Sequence, residues 1–281
     1  MSEPEPDADP ADVTAVAARA VLDTPPVLDT PPVLDTPPVL DSAAALDLLR
    51  NGELELQGRL VDASNATLLV GVTGPFHGAE VCVQAVYKPV RGERPLWDFP
   101  EGTLAGREVG SYLVSEATGW GVIPPTVLRD GPYGPGMVQL WIDIDEEVDV
   151  VALVRSKTST ALRRVAVLDA VINNADRKGG HLLPVDGAAH IFGIDHGVTF
   201  SCEDKLRTLL WQWRGDALTE DERAVLGHLR EALNGGLGAT LSRLVQDVEV
   251  AVALDRVERL LADGTMPFPS GDWPATPWPP F

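Results

Sequence analysis

Between Glu53 and Asp145 the chain carries five strand-like runs with one helical run set after the third, and beyond about Glu146 the strand pattern gives way to a helical one. "ELELQGRLV", "ATLLVGV" and "AEVCVQAVYKP" alternate or run apolar and predict three antiparallel strands. Ahead of them "SAAALDLLRNG" predicts a short helix, with Ser42 as N-cap, helically spaced leucines and a terminating Gly52. "TLAGREVGSYLVSEATG" predicts a helix from Thr103 to Gly119, and "VIPPTVLRD" and "GMVQLWIDID" a strand pair about the turn "GPYG". The expected class is α+β. A five-stranded antiparallel sheet with one helix occupies residues 43–145, and a mainly helical part follows over 146–265. The helical part is interrupted by the hairpin "HLLPVDGAAHIFGID". Further helices are expected near Glu203 to Trp213, Thr219 to Asn234 and Leu241 to Ala262. Residues 266–281, rich in Pro and Trp, are expected to be irregular, with aromatics packed on the body.

The segment 1–42 has a different character. From Val21 it repeats "VLDTPP", and each Pro-Pro pair blocks helix and removes two backbone donors, so an acidic, extended tail is expected, with a docking motif for a protein partner as the alternative. Nine carboxylates against Arg19 put -8 on residues 1–41, which leaves -12 of the total -20 on the remainder. That balance argues against a nucleic-acid binder, because phosphate contacts need clustered Lys and Arg. No run approaches the roughly 18 apolar residues of a membrane span, and the acidic N-terminus lacks the order of a signal peptide. The expected location is the cytoplasm, without integral membrane association. Cys82 and Cys202, in unrelated segments, are expected to be free thiols.

A small sheet with one helix, then a helical part with a polar loop and a hairpin, is the order of parts in a bilobal protein-kinase-like fold. Phosphoryl transfer from ATP needs a cation on the phosphates, metal ions bridging their oxygens, and a carboxylate near the incoming hydroxyl. Lys88, in "AVYKP" at the end of the third strand, supplies the cation, and Glu108, on the next helix, is placed to pair with it. The turn "LVDASNATLL" lacks a glycine-rich fingerprint, so Ser64, Asn65 and backbone amides would cover the phosphates, although the same residues also suit an ordinary turn. The strongest signal is "DAVINNADRKGGHLLPVDGAAHIFGIDHG". Asp176 sits in the loop after a helix, His181 opens the hairpin and Asp195 follows its second strand. A hairpin returns to where it began, so Asp195 comes back beside Asp176 and His181 and makes a divalent-metal site. Asp169 is expected to face another part of the helix layer, Trp211 and Trp213 to be core aromatics, and His77, His190 and His228 to be structural.

"YKP", the helix Glu, "NNADRKGGHLL" and "IDHG" resemble the phosphatidylinositol 3- and 4-kinase-like group, including the type II phosphatidylinositol 4-kinases, and more distantly the HipA-like serine/threonine kinases. From about Ala43 to Trp273 the chain is similar to a small actinobacterial branch of that group. The resemblance implies Lys88 as the ATP-phosphate lysine, Glu108 as its partner, Asp176 as the catalytic-loop aspartate and Asp195 as the metal aspartate of a "DHG" motif. It also implies a strand end, Gln139 to Trp141, that contacts adenine, and ATP with Mg²⁺ or Mn²⁺ as cofactors. Two positions depart from the pattern: His181 stands where the group carries a metal-ligating Asn, and His196 where it carries Phe. Imidazole would suit Mn²⁺ better than Mg²⁺. The implied activity is an ATP-dependent phosphotransferase acting on an unidentified lipid, protein or small-molecule hydroxyl. The alternatives are a nucleotide-binding pseudokinase or scaffold and, with no role for Lys88 and Glu108, a metal-dependent phosphohydrolase using Asp176, His181 and Asp195.

Overall fold

A computed structural model describes residues 41–60 and 65–281. The repeat-bearing segment ahead of Asp41, the subject of the tail and docking expectations, lies outside the described residues, as does Ser64.

Helix α1 (Ser42–Asn51) is capped by Asp41, whose carboxylate accepts from the Ala44 amide at 2.8 Å. Ser42, the expected cap, falls inside the first turn because the carboxylate one residue earlier takes the free amide. Strands β1 (Glu53–Arg59), β2 (Leu68–Phe76), β3 (Ala79–Pro89), β4 (Thr126–Gly131) and β5 (Gly134–Leu140) form one antiparallel sheet in the order β1-β2-β3-β5-β4. In β3 the alternation buries Ala85 and Tyr87 against α1 and β2, which turns Val86 and Lys88 to the opposite face. Helix α2 (Leu104–Thr118) lies between the sheet and the helical part. Its first amides, on Leu104 and Ala105, donate to the Glu93 carboxylate at 3.1 and 2.8 Å; Thr103 makes no side-chain cap. A Cβ on Gly106 would lie 2.6 Å from the Leu244 carbonyl oxygen, so this glycine lets α2 approach the helical part closely.

The helical part comprises α3 (Val150–Arg155), α4 (Thr160–Ile172), α5 (Glu220–Leu233), α6 (Gly236–Leu241) and α7 (Asp247–Asp263). Its core centres on α4, whose residues Val165 to Ile172 are all buried. The hairpin joins β6 (Leu182–Val185) to β7 (His190–Gly193), with Leu182 opposite Gly193. Two helix expectations are corrected. Residues 203–210 form no helix, because their backbone pairs with the loop after α4: Arg207 N to Asn174 O at 2.9 Å, and Arg177 N to Arg207 O at 3.0 Å. Only Trp211–Trp213 turns there, as a 3-10 segment. The helix expected from Leu241 to Ala262 is instead two, since Gln246 and Glu249 form a capping box that starts α7 afresh. The sheet, the helix set after its third strand and the helical half match the α+β architecture that the sequence predicts. Among the described residues no helix is long and apolar enough to cross a membrane, and both cysteines are free and exposed.

Candidate active site

The sheet and the helical part meet at Lys88. Its Nζ donates to Glu108 Oε1 at 2.6 Å and to Asp195 Oδ1 at 2.9 Å, so one cation ties β3, α2 and the end of the hairpin together. Burial opposes the charge of Lys88, but Asp195 and Glu108 outweigh it and raise the ammonium above its ordinary value. Lys88 in turn holds Asp195 far below the usual carboxylate range, against burial. Burial pushes Glu108 up while Lys88 pulls it down. Asp195 also lies 3.4 Å from His181 Nε2 through its second oxygen, and its side chain stays 50% exposed. Its backbone sits at φ 61°, a left-handed conformation that a non-glycine residue adopts at a cost, and such strain collects at functional sites.

Behind this front lies a second, wholly buried chain of charges. Helix α4 ends at Asn173, in the left-handed region at φ 54°, and the chain turns back so that Arg177 pairs with Asp169 through two bonds, at 2.8 and 2.9 Å. Both side chains are 0% exposed. Arg177 also donates to the carbonyls of His181 and Ile194, at 3.3 and 3.0 Å, and so fixes both mouths of the hairpin. Its Nη2 lies 2.6 Å from His196 Nε2. A guanidinium only donates, so His196 accepts there and carries its proton on Nδ1, which has no partner. Burial, then Arg177, lowers the His196 pKa well below its ordinary value and keeps the ring neutral. The His196 amide donates to Glu108 Oε2 at 2.8 Å, which closes the circuit to Lys88.

Asp176 keeps its side chain 31% exposed, 3.1 Å from Lys178 Nζ. Its amide donates to Asn174 Oδ1 at 3.0 Å, and Asn174 Nδ2 donates to Asp169 at 2.9 Å, so the buried carboxylate positions this loop too. The His181 ring feels both Asp195 and Asp176. Burial lowers its pKa, which leaves a neutral ring with a lone pair to offer, and its Nδ1 has no partner. His181 and Asp195 thus suit a divalent cation as a two-donor site that phosphate oxygens and water would complete. Among the described residues no three His, Cys, Asp or Glu side chains gather into a ready-made cage.

The remaining predicted residues are placed differently. Gln139 is buried in β5 with its amide donating to Thr126 at 2.8 Å, so its side chain is committed to the sheet. Asn65 accepts from the Arg94 amide at 2.9 Å and anchors the segment after β3. Trp141 leaves the sheet just past β5, its amide donating to Gln84 O at 3.0 Å and its indole to Asp143 at 3.2 Å.

No family model matches the chain. Protein Rv2133c of Mycobacterium tuberculosis is 40% identical over 269 residues, an alignment spanning 83% of this chain and 94% of the mycobacterial protein. The chain belongs to the Rv2133c family. Among solved structures it is similar to a Golgi casein kinase with Mn and ADP bound, at a TM-score of 0.51 and 14% identity over 79% of this chain and 75% of that one. It is equally similar to hydra Fam20 with sugar, at a TM-score of 0.51 and 12% identity over 79% of this chain and 87% of that one. At such identities the likeness carries the fold, and the fold is kinase-like.

In this member of the Rv2133c family the structure brings together Lys88, Glu108, His181 and Asp195, with Asp176 beside them. It also corrects the expectation for Asp169, which faces the site through Arg177 and does not point into another helix layer. Sequence reasoning missed the Asp169, Arg177 and His196 chain. Its one legible trace is a lone carboxylate in the apolar run "VAVLDAVI", which a buried helix tolerates only when that carboxylate is paired.

Proposed function

We propose that this protein is an ATP-dependent phosphotransferase of the phosphatidylinositol 3-/4-kinase-like type, acting on an alcohol acceptor with Mg²⁺ or Mn²⁺. The observation that carries it is the Lys88 ammonium bridging Glu108 and Asp195 beside His181, a cation set next to a carboxylate and an imidazole that would hold a metal ion. Lys88 would bind the non-transferred phosphates, and Glu108, braced by the His196 amide, keeps its Nζ in place. His181 and Asp195 would hold the cation, which when bound neutralises phosphate charge. Asp176 orients the acceptor hydroxyl and takes its proton as the acceptor oxygen bonds to the γ-phosphorus. The bond to the bridging oxygen then breaks, and ADP leaves with that electron pair. The Mn and ADP named for the Golgi casein kinase are in keeping with this chemistry.

A nucleotide-binding pseudokinase is the second reading, favoured by the imidazole of His181 at a metal position. ATP with Mg²⁺ or Mn²⁺ is expected to raise the melting temperature, more so with Mn²⁺, and Asp195→Ala to abolish the rise. No shift with either metal would sink both readings. A shift without transfer of labelled phosphate to phosphatidylinositol vesicles, casein or water selects the pseudokinase.

A further inference from the structure

We propose that residues 273–281 form a positioning strap for the loop between Asp176 and His181, with the Phe281 ring and the Pro280 carbonyl setting the loop through Gly179. As a claim about catalysis this rests on the phosphotransferase reading above. The Gly179 amide donates to Pro280 O at 2.9 Å, and the Phe281 ring lies where a Cβ on Gly179 would have to go. Gly179 does not adopt a positive φ, so the ring, and not backbone conformation, demands glycine at this place. Farther along, Ala275 O accepts from Thr208 N at 3.0 Å and from the Trp211 indole at 2.7 Å, and Pro274 O accepts from Arg207 Nε at 3.2 Å. Thr208 pairs in turn with Arg177, so the strap presses on the catalytic loop from two sides.

The other end is clamped at a cation. Lys205 Nζ lies 4.1 Å from the Trp273 ring centroid and 5.1 Å from that of Trp97, and 2.9 Å from Asp98 Oδ2. Trp97 and Asp98 belong to the segment between β3 and α2, so the strap also grips the sheet part of the molecule. Covering the carboxylates is not its role, because the Asp176 and Asp195 side chains stay 31% and 50% exposed with the strap in place. A proline-rich sequence fits such a strap, which acts through carbonyl acceptors and has no use for the donors that prolines lack.

The test uses the full chain with Phe281→Ala, Gly179→Ala, the double variant and Phe281→Tyr, followed by hydrogen exchange and by phosphate release from ATP with Mn²⁺. Each single alanine variant is expected to speed exchange at 177–181 about tenfold and to lower kcat about tenfold, with KM for ATP unchanged, since a misplaced loop costs rate and not nucleotide binding. The double variant should be no worse than either single one, and Phe281→Tyr should retain wild-type values. Unchanged exchange in Phe281→Ala overturns the strap, and so does faster exchange with unchanged kcat. If the wild type neither releases phosphate nor labels phosphatidylinositol vesicles or casein, the phosphotransferase reading has failed, and the exchange measurement alone decides the strap.

Discussion

The front and the back of the site use the same kinds of residue in opposite ways. At the front, Lys88, Asp195 and His181 meet where Asp195 is half exposed; at the back, Asp169 and Arg177 are sealed from water. Charges at the front are held against partial burial by one another, and Asp195 keeps half of its side chain exposed, so it remains within reach of a ligand. Charges at the back are worth much to each other only because neither has water to fall back on. The front is open to a ligand, and the back fixes where the front residues stand.

The largest effect expected at the back is from Asp169→Ala, which strands Arg177 and should cost about 3–5 kcal/mol of unfolding free energy in a urea titration. Glu108→Ala sits on the border between the two regions, leaving the His196 amide and Lys88 short of one acceptor. It should cost about 1–3 kcal/mol while weakening the nucleotide-dependent melting shift. Asp195→Ala, at the front, should cost less, about 1–2 kcal/mol, because Lys88 keeps Glu108 as a partner, although it abolishes that shift. A loss as large as that of Asp169→Ala would erase the distinction.

A pair remote from the site gives a smaller calibration. Burial would raise the Glu222 carboxyl, but the bonds from Arg163 at 2.6 Å and from Thr219 win and hold it below its ordinary value. Its folded pKa is depressed, so its stabilisation is fully present above the unfolded carboxylate range and is lost as pH falls through the lower folded value. Glu222→Gln should therefore flatten that part of the acid limb in a stability profile and leave the profile near neutrality parallel to wild type.

Much of the fold was legible because period and punctuation are local. The alternation in "AEVCVQAVYKP" and the glycine after "SEAT" depend on nothing beyond their own segments. Lys88, Glu108 and Asp195 were legible for a related reason: strand end, next helix and hairpin mouth are positions that topology brings together. The partners of Arg177 and His196 were not, since a side chain's choice among several buried carboxylates and carbonyls depends on packing between distant segments. Residues 203–210 misled for the same cause: their helical spacing of apolar residues lost to backbone pairing with the loop after α4. Gln139 and Asn65 resembled ligand-facing amides until Thr126 and Arg94 proved to be their partners.

Helix α2 carries neighbouring buried residues of opposite sign that reach into opposite halves of the molecule. Arg107 bonds to Glu249 on α7 at 2.7 Å, and Glu108 bonds to Lys88 on β3 at 2.6 Å. Swinging this helix outward would strand charge at both ends in a single motion, a penalty of several kcal/mol that no weak effector could supply. Control of this protein by displacing α2 is thereby closed off: the helix is a rivet. Any motion that opens the molecule has to leave this helix where it is.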